Sequence, residues 1–235
     1  MEDVINLLND NFNPISIFLY GSRARDDYIK RSDHEIGVLF SKDNYFGRRD
    51  IKSVIDREGF NIYPFKYEDF VKGNIDTPFQ KNMYLYELIK SGKTISGKEV
   101  IENMKVPKIR IIDLIQDLRF NLGYALASVI SDRNGDKISA STKFYKSCLF
   151  ATRCLIILNL NLFPLTYNEI YNYSKKLDLG EYSNLVKKSY EIRLGKSKYE
   201  SRDLFQNISY INDFIEPKLN DTFNKNSKKI LIENS

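Results

Sequence analysis

The sequence predicts an α+β fold, with a small mixed sheet and flanking helices over residues 1–104 followed by an all-α helical bundle over 105–220. Three observations lead there. Strand-length apolar runs (15–20, 35–40 and 60–65) interrupt amphipathic segments in the first part, whereas beyond Pro107 apolar residues recur only at helical spacing. The charge divides at the same place. Residues 105–235 hold 21 Lys+Arg against 14 Asp+Glu, and residues 1–104 hold 15 against 17. A basic helical part is a hint of an anionic partner.

Val4, Ile5, Leu7 and Leu8 predict a short first helix, stopped near Asn13-Pro14. The apolar run Ile15 to Tyr20 reads as a strand, and Glu35 to Phe40 as a second. Residues 48–57 suit a helix. After Gly59 a third strand runs to Phe65, with Pro64 placing its end at an edge or bulge. Residues 82–89 read as helix, and 91–100 as an extended piece between two glycines.

In the second part Ile111, Ile115, Leu118, Leu122, Leu126 and Val129 form one helical stripe, and Phe144, Cys148, Ala151, Leu155 and Leu158 another. Thr166-x-x-Glu169 is a capping box that starts a third helix. Leu204, Ile208, Ile211 and Ile215 mark the last long one. The tail 221–235, rich in Asn and Lys, is expected to fray.

Composition excludes several functions. The acidic start, Met1-Glu2-Asp3, is not a secretory signal, and no apolar window is uninterrupted enough to span a membrane. Two cysteines six residues apart on a helical pattern do not face each other, which predicts a reduced, cytoplasmic setting. With His34 as the single histidine, a Ser-His-Asp triad elsewhere and any multi-histidine zinc site are ruled out.

The chemistry is concentrated in "IFLYGSRARDDYIKRSDHEIGVLF", residues 17–40. Side chains alternate along a strand, so Asp33 and Glu35 share a face and His34 points to the other. Two adjacent carboxylates repel unless a cation lies between them. Mg²⁺ suits that place, since it takes one or two carboxylates together with phosphate oxygens. Gly21-Ser22, at the end of the preceding strand, supplies what a phosphate needs: close backbone approach, N–H groups and a hydroxyl.

This ordered pattern resembles the nucleotidyltransferase superfamily that includes DNA polymerase β, and particularly its minimal and antibiotic-modifying branches. "LIKSGKTISGKEV", "FATRCLI", "FPLTYNEI" and "SYEIRLGKSKYESRD" are similar to segments of aminoglycoside adenylyltransferases with a helical C-terminal domain. The resemblance implies a catalytic domain over 1–104 and an acceptor-binding bundle over 105–220. It also implies Mg²⁺ as cofactor, an NTP, with ATP first, as co-substrate, and attack of an acceptor hydroxyl on the α-phosphorus. Asp33 and Glu35 would be the catalytic metal ligands, and Gly21, Ser22 and Arg23 would contact the nucleotide. Arg25 is assigned either to phosphate or to an ion pair within the fold.

The chain departs from the family pattern in three places. Asn61 stands where a third carboxylate is usual, and an amide cannot act as a base. Glu58, Glu68, Asp69 and Glu87 are the nearby acids available to replace it. Asp26 stands where a glycine is common, and Glu35 where Asp is.

Three acceptors fit: an antibiotic-like small molecule, an RNA or tRNA end, or a protein. An RNA would be held by Lys143, Lys146, Arg153, Lys187, Lys188, Arg193, Lys196 and Lys198. The alternative reading is a catalytically impaired relative that binds a nucleotide or a protein partner, as in a toxin–antitoxin pair. His34 is assigned to packing.

Overall fold

Apolar residues with a period of two set both faces of the first sheet. The computed structural model describes residues 1–30 and 32–233, which form two units, Met1–Val106 and Pro107–Ser235. The first contains α1 (Glu2–Phe12), β1 (Ser16–Tyr20), β2 (His34–Phe40), α2 (Arg48–Val54), β3 (Phe60–Lys66), α3 (Tyr67–Phe70), α4 (Lys81–Ser91) and β4 (Lys93–Gly97). The sheet order is β3-β2-β1-β4. β1 is antiparallel to both β2 and β4, and β3 runs parallel to β2, so the sheet is mixed.

Ile17, Ile36, Val38, Phe40 and Ile62 face one way and bury Val4 and Leu8 of α1 with Ile51 of α2 and Ile55 just after it. Phe18, Tyr20, Leu39 and Phe65 face the other way and pack on Phe70 of α3 and Leu88 of α4. Gly37, opposite Phe18 in the β1–β2 register, leaves room for that ring: a Cβ there would overlap three of its carbons. A glycine in the middle of a strand is accounted for by this aromatic neighbour.

The second unit is built on α5 (Ile111–Arg133) and α6 (Lys137–Leu160), an antiparallel helical hairpin. α7 (Tyr167–Ser174), α8 (Ser183–Arg193), α9 (Ser201–Ser209), a π-helical turn (Tyr210–Ile215) and α10 (Glu216–Lys225) complete it. The capping box at the start of α7 is formed: Glu169 N–H donates to Thr166 Oγ1 and Thr166 N–H to Glu169 Oε2, both at 3.0 Å. Asp117 of α5 and Arg153 of α6 pair at 3.4 Å within the core. Both cysteines are free and buried, and burial pushes the Cys148 thiol up to about 12, far from the reactive range.

Two expectations need correction. The tail from Asp221 is not frayed over the described residues. α10 continues to Lys225 with Leu219 buried, and β6 (Ile230–Ile232) pairs antiparallel with β5 (Ile109–Arg110). Leu231 and Ile232 are buried in that pairing. The polar run 221–229 hides an apolar triplet whose partner lies at the far end of the unit's sequence. For the same reason the second unit is not all-α, since it carries this two-stranded ribbon. The remaining tail residues, 234 and 235, lie outside the described residues.

Candidate active site

The site is assembled where β1 ends and β2 begins. Tyr20 is paired with Glu35 across these antiparallel strands, and Glu35 is paired with Asn61 across the parallel β2–β3 pair. Directly paired residues project to the same face. Tyr20, Glu35 and Asn61 therefore share a face, and Asp33, two residues before Glu35, joins them.

Gly21 has a positive φ of 73°, and a Cβ there would collide with the Glu35 carboxylate. The glycine is thus a seat for that carboxylate as well as a turn residue. Gly21→Ala is expected to cost about 1–2 kcal/mol of stability from the left-handed backbone alone. It should also push the Glu35 side chain out of that seat, and thermal unfolding beside the wild type checks the loss.

The loop after Gly21 closes on itself through Asp27 N–H donating to the Ser22 carbonyl at 2.9 Å. Asp26 adopts a left-handed φ of 56°, so the backbone demand that a glycine usually meets here persists, and Asp is among the residues that tolerate it. Arg23 donates through Nε and Nη2 to the Ser32 carbonyl at 3.0 and 2.8 Å and lies over the Tyr28 ring. These bonds make Arg23 a brace between the two ends of the loop. Arg25 forms an internal ion pair with Glu87 of α4 at 2.7 Å, the second of its two sequence assignments.

At the third position Asn61 Nδ2 donates to Asp33 Oδ2 at 2.8 Å. Of the replacement acids, Glu87 is committed to Arg25. Glu68 and Asp69 lie in α3, beyond the opposite end of β3. Asn61 and Lys66 are five residue steps apart along the strand, roughly 16 Å at about 3.3 Å each. Glu58 is exposed before β3. Among the described residues no three His, Cys, Asp or Glu side chains come together as a metal-binding group. The face therefore holds two carboxylates and an amide.

Sequence reasoning missed the aromatic setting of Glu35. Tyr20 shares a hydrogen bond with Tyr84 of α4, and Tyr63 meets the Tyr20 ring edge-on at 6.2 Å. Burial, with the Glu35 charge as a smaller contribution, pushes the Tyr20 and Tyr84 phenols far above their ordinary range. Both stay protonated, with Tyr20 the donor in the bond they share. Tyr20's place next to Gly21 was the available signal, because a hairpin pairing puts it opposite the acid.

His34 points away, stacked on Phe60 at 4.6 Å with Nδ1 3.4 Å from the Gly59 carbonyl. Burial, and then the Arg23 charge, lower its pKa from 6.5. The unfolded chain therefore takes up the proton first as the pH falls. Stability is expected to decline below pH 6.5 and to keep declining to the lowered folded value. Urea unfolding at pH 7.5 and 5.5 should show a smaller pH difference in His34→Phe than in the wild type.

In the helical unit, several of the residues expected at an RNA surface are occupied within the fold, while Lys187, Lys196 and Lys198 stay exposed. Arg153 and Arg193 are buried, over Phe150 and Tyr167 respectively. Lys188 is paired with Asp203 at 2.6 Å, Lys187 with Glu191 at 3.9 Å, and Lys143 donates to Ser131. The tyrosines there are used in packing: Tyr171 stacks on Tyr190 at 4.5 Å, and Tyr199 donates to Asp132.

A glycine-serine loop feeding two carboxylates on the next strand of a small mixed sheet defines a nucleotidyltransferase domain. The sequence model of the polymerase β nucleotidyltransferase family matches residues 2–100, so the first unit is similar to a DNA polymerase β-like nucleotidyltransferase domain over nearly its whole length. Across both units the chain is similar in fold to the crystal structure of the spectinomycin adenyltransferase from Enterococcus faecialis, solved with ATP and spectinomycin. The TM-score is 0.57 and the identity 14%, with 91% of this chain and 98% of that one covered. Curated protein sequences give no match. Among the described residues no helix is long and apolar enough to cross a membrane.

Proposed function

We propose that this protein is a Mg²⁺-dependent nucleotidyltransferase that moves a nucleoside monophosphate from an NTP, ATP first, to an acceptor. The observation that carries the reading is Asp33 and Glu35 on one face beside the Gly21 seat. These hard oxygen donors at the open end of a strand fit a divalent cation. Bound there, Mg²⁺ would supply charge stabilisation to the triphosphate and to the pentavalent transition state.

The chain's own residues supply the rest. Gly21 lets phosphate approach the backbone, and the Ser22 hydroxyl and the loop N–H groups are donors to it. Arg23 holds the loop in shape. Asn61 orients the Asp33 carboxylate through its amide N–H. The helical unit is assigned to acceptor binding. A small-molecule acceptor is the favoured class, because the adenyltransferase of similar fold was solved with one and because Lys143 and Lys188, two of the lysines expected to hold RNA, are engaged within the fold.

The test is calorimetric titration of the four NTPs with Mg²⁺ and again with EDTA. Saturable binding in Mg²⁺ that EDTA removes is the expected result. The absence of binding to every NTP would sink the proposal and leave the nucleotidyltransferase fold as a partner-binding scaffold.

A further inference from the structure

A neutral hydroxyl must lose its proton to attack phosphorus, and a positioned general base typically contributes 10²–10⁴-fold to such a step. Among the described residues no third acid comes together with Asp33 and Glu35 to serve as that base. Both acids are assigned to the cation, the third position is the amide of Asn61, and its N–H is already spent on Asp33. Glu87 is tied to Arg25, and Glu68 and Asp69 are at the wrong end of β3. A phosphate monoester, by contrast, has a second pKa of about 6 and is an ionised nucleophile at neutral pH. An acceptor of that kind needs no base.

Two features of charge favour the same chemistry. Tyr63 lies on the face of Asn61, two residues further along β3, and the Arg48 guanidinium sits 4.8 Å from the centre of its ring. Arg48 is exposed and has no carboxylate partner among the described residues, so a planar two-pronged phosphate donor lies over a ring on the face that carries the acids. The helical part of the chain also carries a surplus of seven positive charges.

We infer that the acceptor presents a phosphate oxygen in place of a hydroxyl, with Asn61 marking the lost base and Arg48 holding the phosphate. The inference rests on the nucleotidyltransferase reading above. In the reaction an anionic phosphate oxygen forms a bond to the α-phosphorus of the NTP. The bond from that phosphorus to the α,β-bridging oxygen breaks, its electron pair leaves with pyrophosphate, and no proton changes hands. With orthophosphate as acceptor, ATP gives ADP and pyrophosphate; with a phosphate monoester it gives an adenylyl diphosphate ester.

The experiment uses the full chain, Mg²⁺ and ATP labelled at the α-phosphate, with orthophosphate, glycerol 3-phosphate or glycerol at equal concentration. Label in ADP or in the diphosphate ester should exceed label in adenylyl-glycerol and AMP at least tenfold, and the two phosphate arms separate free phosphate from a monoester. Asn61→Asp should reverse that preference at least tenfold.

A binding readout runs beside it. Glycerol 3-phosphate is titrated by calorimetry into the complex with Mg²⁺ and α,β-methylene-ATP, whose scissile bond cannot break. It should bind to the wild type and at least tenfold more weakly to Arg48→Ala. NTP binding together with transfer to glycerol or water in preference to both phosphates would overturn this inference alone. So would NTP binding with neither transfer to nor binding of a phosphate. Absence of NTP binding would instead remove the reading on which it stands.

Discussion

Replacing Asp33 and Glu35 together by alanine will abolish Mg²⁺-dependent nucleotide binding and transfer while leaving the sheet folded. Asp33 is exposed and Glu35 half-buried at the head of β2, and neither belongs to either apolar layer. The change therefore removes charge without opening a core cavity. A divalent cation at such a site supplies several kcal/mol of transition-state stabilisation, and each 1.4 kcal/mol is about tenfold in rate. The loss of transfer should be at least about 10³-fold. Calorimetry in Mg²⁺ should lose its heat signal, while the circular dichroism spectrum stays that of the wild type. A double variant that binds Mg²⁺·NTP as the wild type does would place the nucleotide elsewhere.

Gly37→Ala is expected to produce the largest loss of stability from the smallest change in the chain. The added methyl would overlap the Phe18 ring, which is fully buried and wedged between Tyr20, Phe65 and Phe70 at centroid distances of 5.5–6.2 Å. Overpacking of a filled core costs about 1–3 kcal/mol, and a site with aromatic rings on every side belongs at the upper end. For a unit of this size each kcal/mol lowers Tm by about 4–8 °C. Thermal unfolding should show the drop, and Phe18→Leu in the same chain should recover much of it because the two side chains share one space. Additive losses in the double variant would mean that the strain lies elsewhere.

Much of the fold was legible because its signals are local. The strand-length apolar runs gave β1, β2 and β3, the stripe from Ile111 to Val129 gave α5, and Thr166 with Glu169 gave the start of α7, all from neighbours within a few residues. The acid pair was legible for the same reason, since alternation along one strand puts Asp33 and Glu35 on one face with no knowledge of the rest. The tail was misjudged because Ile230–Ile232 becomes a strand only when Ile109 and Arg110 are beside it. The basic residues of the helical unit were misjudged because sequence gives the number of charges and not their partners. Arg153 and Arg193 read as surface cations until the helices pack around them.

By itself, then, the sequence determined the class of the site: a glycine-serine turn between two strands, two carboxylates on the second, and an amide where a third acid is usual. Those are properties of residue order, and backbone geometry turns them into a face. Only the tertiary structure decided how that face is completed. It brought β3 alongside β2 in parallel, so that Asn61 bonds Asp33 across 28 residues. It tied Glu87 to Arg25 across 62, and it pressed the Glu35 carboxylate into the space over Gly21. Strand alternation fixes which way a side chain points. Which other strand or helix supplies its neighbour is a matter of long-range packing, and at this site the neighbours determine which acids remain for chemistry.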